Sequence, residues 1–447
     1  MKFAATLASS RADIPLTILS KMTGTLRIDE LGPKGDGIHK AQRERIYVDR
    51  ALPGDNVRAD LHRGEDGILR GDLIEVVQAS PHRVKAPCVN YEVCGGCTLQ
   101  HAEDGFYRNW KVEIVRDALR KRSLSPRVWR EPVFLPGGNR RRATFAAFKK
   151  NNHVTLGHFR RRSDRLTDIS VCLIADPAIM ALRAKLVTLL APVLQDGVSA
   201  GIFIQTVGGQ FEIVITGPIG KTGKPDPQVR DAITQLAEAA EVDRIGWRAS
   251  DRDHVEVIVQ RHPLRAKFGV LDVALPPLSF LQPTKAGEDA LVAAVMELMP
   301  RSGKFADLFS GCGTFSGPML ERGAVDAYEN VGPAIRALEK SKGAKPLRAF
   351  SRDLFKDPLR RNEANRYDVI VFDPPRAGAQ EQVKALASSK TPRLIAVSCN
   401  PATFARDARI LVDGRYRLDS VKVIDQFTWS HHVELVALFT KPPGKAR

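Results

Sequence analysis

Cysteines, strand-end carboxylates and clustered arginines are the residues of this 447-residue chain whose spacing could do chemistry. Cys399 lies in Val397-Ser398-Cys399-Asn400-Pro401, directly after the apolar run Leu394-Ile395-Ala396-Val397. With Pro392-Arg393 in front and Asn400-Pro401 behind, the run reads as a short buried strand that stops abruptly. Pro401 fits the first turn of a helix that continues through Ala402 to Arg409. Cys399 is therefore expected where a strand gives way to a helix, at the carboxyl edge of an open parallel sheet, where ligands bind. A helix N-terminus would lower the pKa of the thiol and make it a nucleophile. The competing reading is a buried cysteine packed as a small hydrophobe.

Cys88, Cys94 and Cys97 form a second group, separated by five and two residues. Gly95 and Gly96 let the backbone fold tightly enough for the sulfurs to converge. Thiolates that close repel one another unless a cation or cluster neutralises them. Cys172 is the other cysteine of the adjoining region. Four thiolates suit a tetrahedral zinc or an iron–sulfur cluster, and spacing alone leaves both open. The three-plus-one layout favours iron–sulfur, because zinc sites more often come as two C-x-x-C pairs.

The carboxylates fall at strand ends. After Leu275-Pro276-Pro277 and a helix over 286–299, strand and helix signals alternate. Phe305–Phe309 runs into Ser310-Gly311-Cys312-Gly313-Thr314, Val325–Tyr328 ends at Glu329, and Tyr367–Phe372 ends at Asp373-Pro374-Pro375. Strands over 421–427 and 433–439 close the chain. This alternation predicts an α/β fold, a doubly wound Rossmann-like sheet with helices on both faces. The Gly-x-Gly turn lacks the third glycine of the dinucleotide fingerprint, and Glu329 could accept both ribose hydroxyls. With Asp307 and Asp373, the pattern is more typical of S-adenosylmethionine than of NAD.

These elements sit in a basic chain. Lys plus Arg number 68 against 51 acidic residues, a net charge of +17 with a pI near 9.7, which favours a polyanionic partner, nucleic acid first. Charged residues are 27% and hydrophobic residues 43%, an ordinary globular composition. Apolar runs fall far short of the ~20 residues that span a membrane. Met1 to Ser20 lacks a signal-peptide core, so a cytoplasmic protein is expected. Residues 15–78, opening with Leu16-Thr17-Ile18-Leu19, read as the short strands of a small OB-like β-barrel of the kind that holds single-stranded nucleic acid. Residues 79–275 form a mixed α+β region, with a helix over 106–122 and another over 228–240. Its two basic groups, Arg140-Arg141-Arg142 and Arg160-Arg161-Arg162, suit phosphate and base contacts.

Whole motifs then carry a resemblance. "DLFSGCGTF" at 307–315, "DPPRAG" at 373–378, "SCNPATFARD" at 398–407 and "DQFTWSHHVE" at 425–434 resemble the RNA 5-methyluridine (uracil-5-) methyltransferases. "GHFRRRSDRLTDISVC" at 157–172 and the cysteine spacing resemble the branch that carries a [4Fe–4S] cluster and a TRAM domain and acts on 23S ribosomal RNA. The resemblance covers nearly the whole chain. It implies three domains: a TRAM-like barrel at 15–78, a central domain at 79–275 and a catalytic domain at 276–447. It implies Cys399 as nucleophile toward uracil carbon 6, and Glu434 as the base that removes the carbon 5 proton. It implies S-adenosylmethionine at Gln282, Phe309, Thr314, Glu329, Asp353 and Asp373, and a cluster on Cys88, Cys94, Cys97 and Cys172. The expected partner is RNA, 23S ribosomal RNA ahead of transfer RNA, the expected state a monomer, and the rival reading an RNA-binding protein on the same scaffold. The sequence departs from the family where Cys312 replaces an expected cysteine at Ser310, and at Thr284, Thr428 and Ser430.

Overall fold

The computed structural model describes residues 22–441 except Arg43 and Arg162. The expected strand Leu16–Leu19 lies outside them. The first body is a six-stranded sheet in the order Met22–Arg27, Asn56–Arg63, Leu69–Gln78, Arg45–Val48, Gly37–Lys40, Glu30–Leu31. It closes on a small core of Leu26, Ile28, Ile46, Val48, Val57 and Ala59. Among the described residues the expected barrel is a half-barrel: the pairing runs from one edge strand to the other without a ladder joining them.

The central body is a seven-stranded sheet from Arg142–Lys150 to Glu256–Gln260, covered by the helices Pro177–Leu189 and Pro227–Ala239. Each helix starts in the same way. An aspartate, Asp176 or Asp226, accepts a backbone N–H of the first turn, and a proline follows where no N–H is missed.

The third body is an eight-stranded sheet. Leu347–Ser351, Gly323–Glu329, Gly303–Leu308, Val369–Phe372 and Arg393–Ser398 run parallel, Glu434–Thr440 enters antiparallel beside them, and Arg417–Asp425 follows. All of Val369–Phe372 is buried, as expected of a strand covered on both faces. The strand order reverses between Gly303–Leu308 and Val369–Phe372, which opens a crevice at their carboxyl ends.

The sheet also reaches back across the boundary expected at 275. Val128–Phe134 pairs in parallel with Arg417–Asp425 as the outer strand, where Pro132 costs no ladder bond to a further neighbour. The preceding helix, Asp104–Arg120, buries Trp110, Ile114, Val115 and Leu119 in the same core as Phe404 and Phe439. Its Lys111, wholly buried, pairs with Asp425 at 2.8 Å and also bonds the carbonyl of His432. Tyr107 takes the other Asp425 oxygen and accepts the N–H of Trp429. Trp429 itself sits at φ 56°, and its carbonyl accepts the N–H groups of Thr98 and Leu99 at 2.7 and 3.1 Å. The segment just after Cys97 is thereby stitched to the segment that leads into Glu434.

Candidate functional site

The crevice begins with the turn after Gly303–Leu308. Phe309, Gly311 and Gly313 all have positive φ, at 62°, 53° and 97°. The turn curls back so that the Gly311 N–H donates to Glu329 Oε2 at 3.0 Å. Glu329 Oε1 accepts the N–H groups of Asn330 and Val331 at 2.8 and 2.9 Å. The carboxylate is thus fixed by three backbone donors and still holds free lone pairs. Thr314 is half-buried in the same turn. Asp353 follows Leu347–Ser351 and accepts the N–H of Phe355, whose ring lies 5.5 Å from that of Phe309. Asp307 is fully buried. One oxygen accepts Ser316 at 2.5 Å, while the other has no partner, nor does the buried Ser310 hydroxyl. Burial pushes Asp307 up to about 7. Orphaned buried acceptors beside a carboxylate-gripped turn fit a ligand bearing an ammonium and ribose hydroxyls, as S-adenosylmethionine does.

Across the crevice, Arg393–Ser398 delivers Cys399 into a helix that starts at Pro401, and the Asn400 side chain caps it by accepting the Ala402 N–H at 3.1 Å. Arg393–Ser398 pairs antiparallel with Glu434–Thr440, and Ser398 faces Leu435. Cys399 follows Ser398 and Glu434 precedes Leu435, so the ladder brings the two residues to the same end of the paired strands, near enough for the Glu434 charge to act on the thiol.

Glu434 is buried. Gln426 Nε2 reaches it at 3.5 Å and Gln282 Oε1 at 2.8 Å, and Gln282 Nε2 donates onward to Asp373 at 3.3 Å. The two glutamines join the two carboxylates across the crevice floor. Glu434 is held well above the usual carboxylate range by burial and then by the Asp373 charge, with Gln426, Arg142 and Arg376 pulling the other way. Asp373 keeps some exposed edge, yet its carboxyl lies deep enough that burial pushes it to about 7.

The helix N-terminus does not lower the Cys399 thiol as expected. Burial, then the charges of Glu434 and Asp373, push it up to about 12, with Arg376 opposing them. The partial charge of a helix end is small beside desolvation and two nearby carboxylates.

Within the two arginine groups several side chains have internal partners, and Arg162 lies outside the described residues. Arg141 is buried, paired with Glu288 at 2.6 Å and donating to the Gln282 carbonyl at 2.9 Å. Arg140 lies close enough to Cys97 and Cys172 to feel their charges. Arg142 faces Glu434, with its guanidinium 4.3 Å above the ring of Phe280, which is 60% exposed at the rim. Arg161 is tied to Asp49 of the half-barrel at 2.5 Å and to the Cys97 carbonyl. These arginines are mainly fasteners, and Arg142 belongs to the crevice.

The four candidate ligand cysteines share one region. Burial, then neighbouring thiols, raise Cys94; Cys97 goes to about 12 through burial and the charges of Cys172, Cys94 and Cys88. Among the described residues, no three Cys, His, Asp or Glu side chains converge tightly enough to hold a single metal ion.

Phe280, Gln426 and Arg376 are residues of the crevice to which the sequence reading gave no role, although Gln426 and Arg376 lie inside the quoted motifs and Phe280 stands two residues before Gln282.

The family description "tRNA (Uracil-5-)-methyltransferase" matches residues 333–442. An uncharacterized RNA methyltransferase of Brucella suis is 37% identical over 435 residues, covering 94% of this chain and 99% of that one. A counterpart from Caulobacter vibrioides is 38% identical over 93% of this chain and 99% of its own. The 23S rRNA (uracil(1939)-C(5))-methyltransferase RlmD of Acinetobacter baumannii is 29% identical over 93% and 95%. Among solved structures, Pyrococcus abyssi tRNA (uracil-54, C5)-methyltransferase in complex with S-adenosyl-L-homocysteine superposes with a TM-score of 0.71. It is 24% identical, and the match covers 93% of this chain and 99% of that one.

Proposed function

This chain belongs to the RNA (uracil-5-)-methyltransferase family, which uses S-adenosylmethionine to methylate uracil carbon 5 in RNA, and from that premise we propose its substrate and its working residues. The substrate is a uridine of 23S ribosomal RNA, Cys399 is the nucleophile and Glu434 the base. The observation that supports the residue roles is the Ser398–Leu435 pairing, which brings the neighbouring Cys399 and Glu434 to one end of the paired strands, with the thiol within reach of the Glu434 charge. The RlmD relative, matched over nearly its whole length, supports ribosomal RNA.

Uracil carbon 5 is too weak a nucleophile to take a methyl group directly. After passing its proton to solvent, the half-buried Cys399 sulfur adds to carbon 6, and the electrons of the carbon 5–carbon 6 double bond move to the carbon 4 oxygen as an enolate. S-adenosylmethionine supplies the methyl group for carbon 5 and, until transfer, a positive charge. Glu434 then accepts the carbon 5 proton, the double bond re-forms and the thiolate departs. Gln282 and Gln426 hold the two carboxylates of the floor in place throughout. Phe280 under Arg142 offers a stacking face for the extruded base. The half-barrel serves as the TRAM-like RNA-binding module.

We also propose that Cys88, Cys94, Cys97 and Cys172 would hold a [4Fe–4S] cluster. What supports the reading is the donor set: Cys94 feels the charges of Cys88 and Cys172, Cys97 feels those of Cys88, Cys94 and Cys172, and four thiolates gathered in one region would suit such a cluster.

Incubating the enzyme with labelled S-adenosylmethionine and separate 23S and transfer RNA tests the substrate. Label at uridine carbon 5 of 23S RNA alone is expected. Label confined to transfer RNA removes the ribosomal assignment, and RNA binding without any transfer favours a binding protein. An anaerobic preparation is expected to be brown; a colourless, zinc-loaded protein overturns the cluster.

A further inference from the structure

We infer that His432 is a positioning residue that holds the Arg376 guanidinium across the mouth of the crevice, between the turn of Cys399 and the strand of Glu434. The inference rests on the assignment of Cys399 as nucleophile.

The main chain of Arg376 is locked to the nucleophile's own turn. Its carbonyl accepts Asn400 Nδ2 at 3.0 Å and Thr403 Oγ1 at 3.3 Å, and Asn400 is both the neighbour of Cys399 and the cap of its helix. The side chain then crosses to the other wall, where Nη2 donates to His432 Nδ1 at 2.7 Å, two residues before Glu434. Left free, an arginine side chain samples many rotamers, so a fixed partner is needed to keep its charge in one place. A carboxylate at position 432 would grip the guanidinium more strongly, but would cancel its charge. A neutral imidazole holds it without neutralising it.

His432 is kept neutral. Burial, then the charges of His431, Arg376, Lys111 and Arg140, push it down to about 3. Its own place is fixed as well: its carbonyl takes Lys111, its N–H donates to Ser430 Oγ at 3.2 Å, and its ring meets the edge of Phe427 at 5.6 Å. The held charge matters because Glu434 and Asp373 both disfavour ionisation of Cys399, and Arg376 is the cation that opposes them. Glu434 feels Arg376 too, together with Arg142 and Asp373.

The test is alkylation of Cys399 by iodoacetamide across pH in the full-length protein, without RNA or methyl donor, quantified on the Cys399 peptide by mass spectrometry. His432→Ala is expected to slow alkylation at fixed pH about three- to tenfold and to displace the profile to higher pH, since one pKa unit is a factor of ten in thiolate. Arg376→Ala should do at least as much, and the double variant no more than Arg376→Ala alone. His432→Asn, which keeps an acceptor near the Nδ1 position, should restore most of the rate. A wild-type profile in His432→Ala, additive effects in the double variant, or an Asn variant as slow as the Ala variant overturns the inference. If His432→Ala fails to fold, the Arg376→Ala and His432→Asn profiles still decide it. Absence of methyl transfer by the wild-type enzyme, with the alkylation shifts intact, would sink the functional reading instead.

Discussion

The turn proposed to hold the methyl donor and the strand ends proposed to carry the chemistry face each other across one crevice, yet they are built on opposite principles. The turn is local. Phe309 to Gly313 adopts its left-handed conformations within a few residues, and Glu329 is satisfied by three backbone N–H groups. The catalytic end is assembled from afar. Glu434 depends on Gln426, Gln282, Arg142 and Arg376, drawn from four separate parts of the chain. The turn is complete before any ligand arrives. At the catalytic end Cys399, Asp373 and Glu434 hold their protons far more tightly than usual, so that end is poised rather than ready. A site can thus keep a rigid cradle for the donor while leaving the reactive groups quiet until the substrate's charges and contacts are present.

Four experiments probe that contrast. Cys399→Ala should abolish methyl transfer, by more than ~10⁴-fold, while binding of S-adenosylmethionine measured by calorimetry stays near wild type. Lost binding would mean that the two ends are not separable. Glu434→Gln should slow turnover by roughly 10²–10⁴-fold and accumulate a protein–RNA adduct that survives a denaturing gel, because release needs the base. A slow variant without adduct would remove Glu434 from that role. Gly313→Ala should act on the other end: a Cβ there meets Leu338 at 2.6 Å and the residue stands at φ 97°. Donor affinity should fall about tenfold, for a strain of about 1–2 kcal/mol, with alkylation of Cys399 unchanged.

The smallest effect concerns pH. Asp307, raised from 3.8 to about 7, is neutral when folded but ionises early when unfolded. The unfolded state therefore binds fewer protons between those values, so this residue's contribution to stability falls as pH rises from about 4 to 7 and is flat above. Asp307→Asn should flatten that segment of a thermal-unfolding profile. An unchanged slope would show that the acid is solvated after all.

Much of this architecture was legible. Periodicity and capping located Asp104–Arg120, Lys285–Leu298 and Pro401–Asp413 closely, because each carries its start signal in a few adjacent residues. What escaped was non-local. Val128–Phe134 contains Pro132 and only weak alternation, so nothing near it announces that it joins the last sheet. The Gln282–Gln426 bond links residues that carry no charge and belong to no spacing rule. The Arg140–Arg142 run suits phosphate and base contacts, and nothing in it announces that Arg141 is buried against Glu288 or that Arg142 lies over Phe280, partners from another part of the chain. The direction of the Cys399 shift was misread for the same reason: the helix end was visible, whereas the carboxylates around the thiol were not.

The outer strand Val128–Phe134 has one more implication, for how the protein comes into being. Its ladder partner, Arg417–Asp425, is synthesised roughly three hundred residues later. At ribosomal speeds of about 5–20 residues per second, that strand waits for roughly 15–60 s with its hydrogen-bonding edge unmatched. A nascent chain stalled anywhere before position 417 would carry that bare edge together with the apolar face of Asp104–Arg120, a sticky combination that invites chaperones or aggregation.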